Sequence, residues 1–318
     1  MKPLIAIVGP TAVGKSKLAL ALARKFNGEI INADSRQIYR YMDIGTAKPS
    51  LEDRNLIPHH LIDIVNPDEQ FSLALYQKLA SEAVNLIWQR DKIPFLVGGT
   101  GLYIWAFLEG WSVPEVPPDP EFRRRKEAEA RSKGKEALFK ELEKVDPEQA
   151  KKIDPRNVRR VIRALEVYQA TGIPFSQLQR RNPPPFSTLI IGLTTAREEL
   201  YRRIDARVEK MIEQGLIEET KRLVEKGYGF ELPSMSGIGY KEIGLFLQGK
   251  LSLPEAIQRI KFETHRFARH QYAWFRLNDP RIHWLDVSFG FENQAVELIS
   301  QFLARGVAHE IHEVPSYR

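Results

Sequence analysis

Cysteine is absent from the 318 residues, which excludes disulfides, thiolate-held zinc and a cysteine nucleophile, and accords with a reducing compartment. Also missing is any apolar run long enough to cross a bilayer. The first hydrophobic segment starts within a few residues of Met1, so no secretory leader is expected and the cytoplasm is the expected location. No internal repeat or low-complexity tract occurs. With 43% hydrophobic and 28% charged residues the chain reads as an ordinary globular protein, long enough for one large domain or two smaller ones.

Acidic charge is in modest deficit, 41 Asp and Glu against 47 Lys and Arg, and the deficit is local. From Pro118 to Pro185 there are 17 basic and 11 acidic residues, which leaves 30 of each sign elsewhere. Proline clusters bracket that stretch: Pro114, Pro117, Pro118 and Pro120 before it, Pro183, Pro184 and Pro185 at its end. Its pattern is helical, with starts near Asp119, Asp146 and Pro155, and one helix carries Arg156, Arg159, Arg160 and Arg163. A helical module that grips an anionic polymer is one reading, and a solvated charged bundle is the other.

The strongest motif lies near the start. Leu4, Ile5, Ala6, Ile7 and Val8 form an apolar run of the kind buried on both faces in a parallel sheet. It breaks into Gly9, Pro10, Thr11, Ala12, Val13, Gly14, Lys15 and Ser16, which matches Gly-x-x-x-x-Gly-Lys-Ser/Thr at every fixed position. Helix formers follow. Glycines let the backbone curl until N–H groups converge, the helix start adds partial positive charge, Lys15 a full charge, and Ser16 a hydroxyl for a magnesium ion. Such a loop holds a diphosphate or triphosphate, and the spacing alone does not name the molecule that carries it.

A second strand over residues 29–33 is expected to deliver Asp34, Ser35, Arg36 and Gln37 to the carboxyl edge of the sheet, where ligands bind in open α/β folds. An Asp at such a place is also a common cap or turn former. The sheet is expected to resume over 60–65; His59 and His60 would then point to opposite faces, which favours a structural or substrate-contacting role over metal. A helix over 72–90 is expected to bury Leu75, Leu79, Leu86 and Ile87. The strand over 94–97 ends in Gly98, Gly99, Thr100 and Gly101 without the acid that holds magnesium in hydrolytic ATPases. Those glycines fit packing and a ligand-contacting loop equally well.

Past the basic stretch come a strand over 188–193, a helix over 197–214 with Arg202, Arg203 and Arg207, and a glycine- and serine-rich loop over 232–241. The long helix over 254–277 carries Arg259, Arg266, Arg269 and Arg276 within about 100° of one face. Phe262, Phe267, Tyr272, Trp274 and Phe275 are interleaved with them. That mixture suits nucleic acid, although most of the rings are expected to pack inward. A last strand over 281–287 and a helix over 294–304 precede a tail, 306–318, expected to be loosely ordered.

Taken in order, eight blocks resemble the tRNA dimethylallyltransferases, also called tRNA isopentenyltransferases. They are 9–16 (GPTAVGKS), 34–39 (DSRQIY), 42–49 (MDIGTAKP), 58–64 (PHHLIDI), 97–103 (VGGTGLY), 163–168 (RALEVY), 236–241 (SGIGYK) and 269–276 (RHQYAWFR). The resemblance implies an α/β fold, a P-loop NTPase-like, mostly parallel sheet flanked by helices, with an all-helical inserted domain. The core is then 1–117 and 186–305, the tRNA-binding insertion 118–185, and the tail 306–318.

The resemblance also implies transfer of a dimethylallyl group from dimethylallyl diphosphate to N6 of the adenosine 3′-adjacent to the anticodon, in tRNAs reading codons that begin with U. The phosphate loop, Gly9 through Ser16, would hold the prenyl diphosphate rather than ATP, with Mg2+ at Ser16. Asp34 would act as base, Arg207 would meet the diphosphate, and Thr100 would contact the target nucleotide. Contacts to the tRNA anticodon stem-loop carry over onto Asp34, Ser35, Arg36, Gln37, Thr100, Arg123, Arg159, Arg160, Val161, Ile162, Arg163, Ser236, Gly237, Ile238, Gly239, Tyr240 and Lys241. A monomer with no membrane partner is expected. The alternatives are an adenylate isopentenyltransferase, which has no use for a polymer-sized basic grip; a P-loop small-molecule kinase with ATP in the loop; and a non-catalytic RNA-binding protein.

Overall fold

The computed structural model describes residues 1–114 and 116–312. Six strands form its sheet: β1 (Lys2–Val8), β2 (Gly28–Asn32), β3 (His59–His60), β4 (Ile93–Val97), β5 (Phe186–Thr194) and β6 (Ile282–Asp286). All neighbours pair in parallel, in the order β3-β2-β4-β1-β5-β6. β1 lies at the centre between β4 and β5, and Leu4 to Val8 are wholly buried there. The chain leaves β1 toward β2 on one side and later crosses to β5 on the other, so the loop after β1 opens at the switch point of the sheet, where ligands bind in this architecture.

Expected elements shift in several places. The strand expected over 60–65 is cut to His59–His60, because Leu61 (φ 62°) and Asp63 (φ 57°) take left-handed backbone that no strand continues. Pairing resumes in a single bridge between Tyr39 and Val65. The helix Leu73–Gln89 is capped by the Ser72 hydroxyl, which accepts from the Leu75 amide at 3.1 Å, but it buries Tyr76, Ala80, Ala83, Val84 and Ile87. Leu86 is exposed and Leu75 and Leu79 are half-buried. Tyr76 turns the helix: its hydroxyl donates to the Asn32 carbonyl at 3.2 Å and its ring stacks on Tyr103 at 4.1 Å. Lastly, the closing helix is Phe291–His312, reaching into the tail expected to be loose; residues 313–318 lie outside the described residues.

The chain divides into two compact units, residues 1–105 with 185 onward, and residues 106–184. The second unit is helical: Pro120–Ser132, Lys135–Val145, Pro147–Ala150, Val158–Thr171 and Phe175–Leu178. Its core gathers Phe122, Leu138, Leu142, Ile153, Val161, Ile162 and Leu165. Asp119 caps its first helix, accepting from the amides of Glu121 and Phe122 at 3.0 Å, and Asp146 caps the third, accepting from Gln149 at 3.0 Å. The start expected near Pro155 falls instead at Val158, where Asn157 is the cap. Buried Glu166 ties the unit together, accepting from Arg123 Nε and Nη2 at 2.7 Å, from Arg163 at 2.6 Å and from the Asp119 amide at 2.8 Å.

A buried carboxylate also anchors the sheet. Glu29 of β2 is fully buried and hydrogen-bonds His60 (2.7 Å), Lys92 (2.9 Å) and Arg90 (3.2 Å), which gives His60 a structural partner. Burial pushes the Glu29 pKa up, but the Lys92 and His60 hydrogen bonds and their charges more than reverse this, so it sits below the ordinary value. A depressed carboxylate contributes stability that is present above the unfolded pKa and lost as pH falls through the folded one. Glu29→Gln is expected to cost about 1.5–3 kcal/mol in urea unfolding at neutral pH, and the gap from the parent should close as the pH falls below the usual carboxylate range.

Candidate active site

The loop after β1 is held open by left-handed backbone at Gly9 (φ 136°), Ala12 (φ 64°) and Gly14 (φ 106°), and runs into the helix Lys15–Lys25. A side chain at Gly9 would put its Cβ 2.5 Å from the Leu193 carbonyl of β5, so only glycine lets the loop leave the sheet here. Lys15 folds back over the loop, its Nζ donating to the carbonyls of Gly9 (3.0 Å) and Pro10 (2.7 Å). Arg207, from the helix Arg197–Glu213, reaches the same loop and donates to the Thr11 hydroxyl at 3.1 Å. Burial, and then the Arg207 charge, push the Lys15 pKa down to about 7, with Asp34 pulling the other way. Two cations thus face one carboxylate around the loop.

Asp34 follows β2. Its Oδ1 accepts from the Arg36 amide at 2.8 Å, a turn contact of its own, and Asn32 fixes its backbone from below through hydrogen bonds of 3.0 and 3.1 Å. No hydrogen bond within the described residues takes Asp34 Oδ2. Thr100 comes from the loop after β4 and is tied to the Asp34 loop twice: its amide donates to Ala33 at 3.1 Å and its hydroxyl accepts from the Ser35 amide at 3.0 Å. Asp34, Thr100, Thr11 and Arg207 line one cavity of about 340 Å³, together with Ile238 and Trp274.

The remaining residues singled out from the sequence divide by where their side chains go. Arg36 donates to the carbonyls of Pro233 (2.8 Å) and Ser234 (3.3 Å), and Gln37 to those of Thr46 (3.1 Å) and Ala47 (3.2 Å), so both brace loops. Ser236 and Lys241 are exposed, Ile238 is half-buried, and Tyr240 is fully buried. In the helical unit Arg159 and Arg160 are exposed, while Arg123 and Arg163 are bound to Glu166. Val161 and Ile162 turn their side chains into that unit's core. Of the five rings on the helix Leu253–Trp274 and its cap, Phe275 is buried and Tyr272 and Trp274 are half-buried. The other two are more exposed: Phe262 (60%) faces solvent, and Phe267 (41%) is part of the cavity wall.

Two buried side chains that sequence reasoning did not single out organise these loops. Glu219 accepts from the amides of Asp43 (3.1 Å), Ile44 (2.9 Å) and Gly45 (3.2 Å) and from the Tyr240 hydroxyl (2.6 Å). Gln271 accepts from the Thr11 amide at 2.7 Å and donates to the Gly99 carbonyl at 3.0 Å. Gln271 lies within the block at 269–276; Glu219 had no motif to mark it.

Residues 37–278 match the IPP transferase family. The chain belongs to that family. It is 51% identical over 306 residues to a tRNA dimethylallyltransferase of Dehalococcoides mccartyi, covering 96% of this chain and 94% of that one. To the enzyme of the same name from Roseiflexus sp. it is 56% identical over 276 residues, 87% of this chain and 90% of that one. Among solved structures, a full-length tRNA isopentenylpyrophosphate transferase from Bacillus halodurans aligns with TM-score 0.71 and 42% identity, covering 98% and 99% of the two chains. A eukaryotic dimethylallyltransferase acting on tRNA aligns with TM-score 0.80 and 32% identity over 96% of this chain and 80% of that one. The sheet observed here is the P-loop NTPase-like sheet of those transferases, and this member of the family is an enzyme. Among the described residues no helix is long and apolar enough to cross a membrane.

With the Lys15 pKa at about 7, the free transferase loses the Lys15 charge as the pH rises, and an anion bound in the loop must draw a proton back. Affinity for inorganic diphosphate, measured by calorimetry, should fall by up to about tenfold per pH unit above pH 7, and Lys15→Ala should remove that part of the slope.

Proposed function

We propose that this chain transfers a dimethylallyl group from dimethylallyl diphosphate to N6 of the adenosine 3′-adjacent to the anticodon, in tRNAs that read codons beginning with U. The observation that carries the reading is the single cavity whose wall includes both the phosphate-loop side, Thr11 and Arg207, and the Asp34–Thr100 side, in a chain of this family. The free-nucleotide and kinase alternatives draw no support from relatives named for tRNA.

In this reading the diphosphate lies along residues 9–16, where Lys15, Arg207 and loop amides meet the charge that develops as the C1–O bond breaks. The exocyclic nitrogen of adenine is a weak nucleophile, since its lone pair is shared with the ring. As the N6–C1 bond forms, Asp34 takes the proton released from N6. The diphosphate leaves with the electron pair of the broken bond, and the products are the alkylated base, diphosphate and a proton. An adenine stacked in an RNA loop does not reach a sheet edge, so the base is extruded into the cavity, with Thr100 beside it. Holding the two reactants in line supplies much of the acceleration.

Magnesium fits this arrangement as an ion carried with the donor. Among the described residues no group of three His, Asp or Glu forms a metal site, while the exposed Ser16 hydroxyl offers one hard oxygen. That hydroxyl, with diphosphate oxygens and water, is a ligand set that magnesium accepts. When bound, the ion neutralises charge on the leaving diphosphate.

The helical unit supplies the RNA grip in this reading, chiefly through Arg159 and Arg160. In this reading the protein acts as a monomer on cytoplasmic tRNA.

Purified protein given labelled dimethylallyl diphosphate should label unmodified tRNA and leave AMP unlabelled; label on AMP alone, or turnover of ATP, would refute the reading. Asp34→Asn is expected to lower single-turnover transfer by about 10²–10⁴-fold with tRNA affinity within about twofold of the parent. Arg159→Ala with Arg160→Ala should weaken tRNA binding and reduce the slope of log affinity against log salt by about 1–2. An unchanged slope would remove the helical unit from the RNA contact.

A further inference from the structure

Gln271 does not line the cavity, yet it joins the two loops that do. It sits three residues before the end of the helix Leu253–Trp274 and is only 4% exposed. That helix end is itself pinned, because Phe275 is fully buried and the Trp105 indole donates to the Trp274 carbonyl at 2.9 Å. The Gln271 amide then reaches out in both directions, its oxygen taking the Thr11 amide of the phosphate loop and its nitrogen meeting the Gly99 carbonyl. Only one orientation satisfies both, since a flipped amide would set donor against donor and acceptor against acceptor.

From Gly99 the connection runs on without a gap. The next residue, Thr100, holds Ala33 through its amide and Ser35 through its hydroxyl, at 3.1 and 3.0 Å, on either side of Asp34. A continuous hydrogen-bonded path therefore leads from the loop that would grip the donor to the carboxylate that would take the proton. Among the described residues, the side-chain link between the phosphate loop and the β4 loop is Gln271. The fit is close: a Cβ at Gly99 would stand 2.1 Å from Gln271 Nε2, while its other nearest atom outside Gln271 would be the Gly9 carbonyl at 3.4 Å.

We propose that Gln271 is a positioning residue for the transfer, its side-chain amide setting the distance between the donor's phosphate loop and the loop that carries Thr100 and steadies Asp34. This rests on the transferase reading above. In-line displacement is sensitive to reactant separation, and a displacement of about 1 Å costs on the order of a hundredfold in rate. Gln271 touches neither reactant in this role, so its loss should act on the chemical step and leave RNA binding alone.

The test is a double-mutant cycle on Gln271 and Gly99, read as the single-turnover rate at saturating donor and tRNA, with tRNA affinity measured separately. Gln271→Ala should lose about a hundredfold in rate with tRNA affinity within about twofold. Gln271→Glu, which keeps the bond to Thr11 but sets an oxygen against the Gly99 carbonyl, should lose about tenfold, one log unit between parent and Ala. Gly99→Ala should lose about as much as Gln271→Ala, because the new methyl displaces the same amide. The double variant should be no slower than Gln271→Ala alone, since the space is then free. A parent-like rate in Gln271→Ala, additive losses in the double variant, or a loss explained by weaker tRNA binding would overturn the proposal.

Hydrogen exchange separates this proposal from the function it rests on. Gln271→Ala should speed exchange in peptides covering both 9–16 and 98–103, without any turnover. Faster exchange confined to the helix that carries residue 271 would overturn the positioning role. A parent that never labels tRNA would instead defeat the transferase reading.

Discussion

Backbone groups that leave a parallel sheet at its carboxyl edge lose their ladder partners, and each buried one left unpaired costs roughly 1–3 kcal/mol. This constraint shapes the site. Asn32, Glu219 and Gln271 are buried polar side chains, and each hydrogen-bonds loop backbone. Asn32 holds Asp34 and donates to the Leu61 carbonyl at 3.0 Å; Glu219 gathers three successive amides of the loop over 43–45; Gln271 links the loops after β1 and β4. Loops braced in this way keep their shape before any ligand arrives. The same economy explains Arg36 and Gln37, whose side chains stop on loop carbonyls instead of reaching open solvent.

The parts of the fold that were legible in the sequence are those governed by local rules. An apolar run, a fixed glycine spacing and a row of helix formers specify strand, loop and helix over Lys2 to Lys25 without reference to anything distant. Capping residues were equally legible: Asp119 and Asp146 mark the starts of helices because a side-chain oxygen near a free amide is a short-range contact. What stayed hidden depends on residues far apart in the chain. The inward face of the helix Leu73–Gln89 is centred by Tyr76 meeting Asn32 and Tyr103, so of the four residues expected inside, Ile87 is buried, Leu75 and Leu79 reach only half-way and Leu86 is exposed. Glu219 spans more than 170 positions to reach its loop, and no spacing rule reports such a partner. The family blocks located the loops that line the cavity, but they did not distinguish a residue facing it from one bracing it from behind.

Charge around the phosphate loop is arranged for a guest that brings its own. Burial pushes the pKa of both Lys15 and Arg207 down, the Arg207 charge lowers that of Lys15 further, and Asp34 is the nearby carboxylate that works against both shifts. In the free protein Lys15 spends two of its three donor directions on loop carbonyls, which keeps the ammonium solvated by backbone in place of water. A diphosphate would relieve the cationic excess and raise the Lys15 pKa. The acid that hydrolytic P-loop enzymes place at a strand end is missing from β4, whose last residue, Val97, runs into glycine. The carboxylate sits instead after β2, across the cavity, where in the proposed reaction it meets the acceptor rather than a metal.

Many cations of the helical unit are paired with its own carboxylates. Arg123 and Arg163 are locked to Glu166, Lys126 to Glu129 and Glu141, Lys151 to Glu148, and Arg156 to Asp154. Arg159 and Arg160 have no carboxylate within salt-bridge reach among the described residues, and both sit in the first turn of the helix Val158–Thr171. Positive side chains there oppose the helix dipole, a penalty of about 0.3–1 kcal/mol each at low salt, and no acid in that turn relieves them. A folding role would favour the reverse, acids at the start and bases at the end. The same dipole, the free amides of the first turn and two unpaired guanidinium groups all become favourable once a phosphate chain lies across that end of the helix. Two arginines that stability alone would disfavour are therefore well placed for an anionic partner, and they make this helix end one element of the proposed RNA contact.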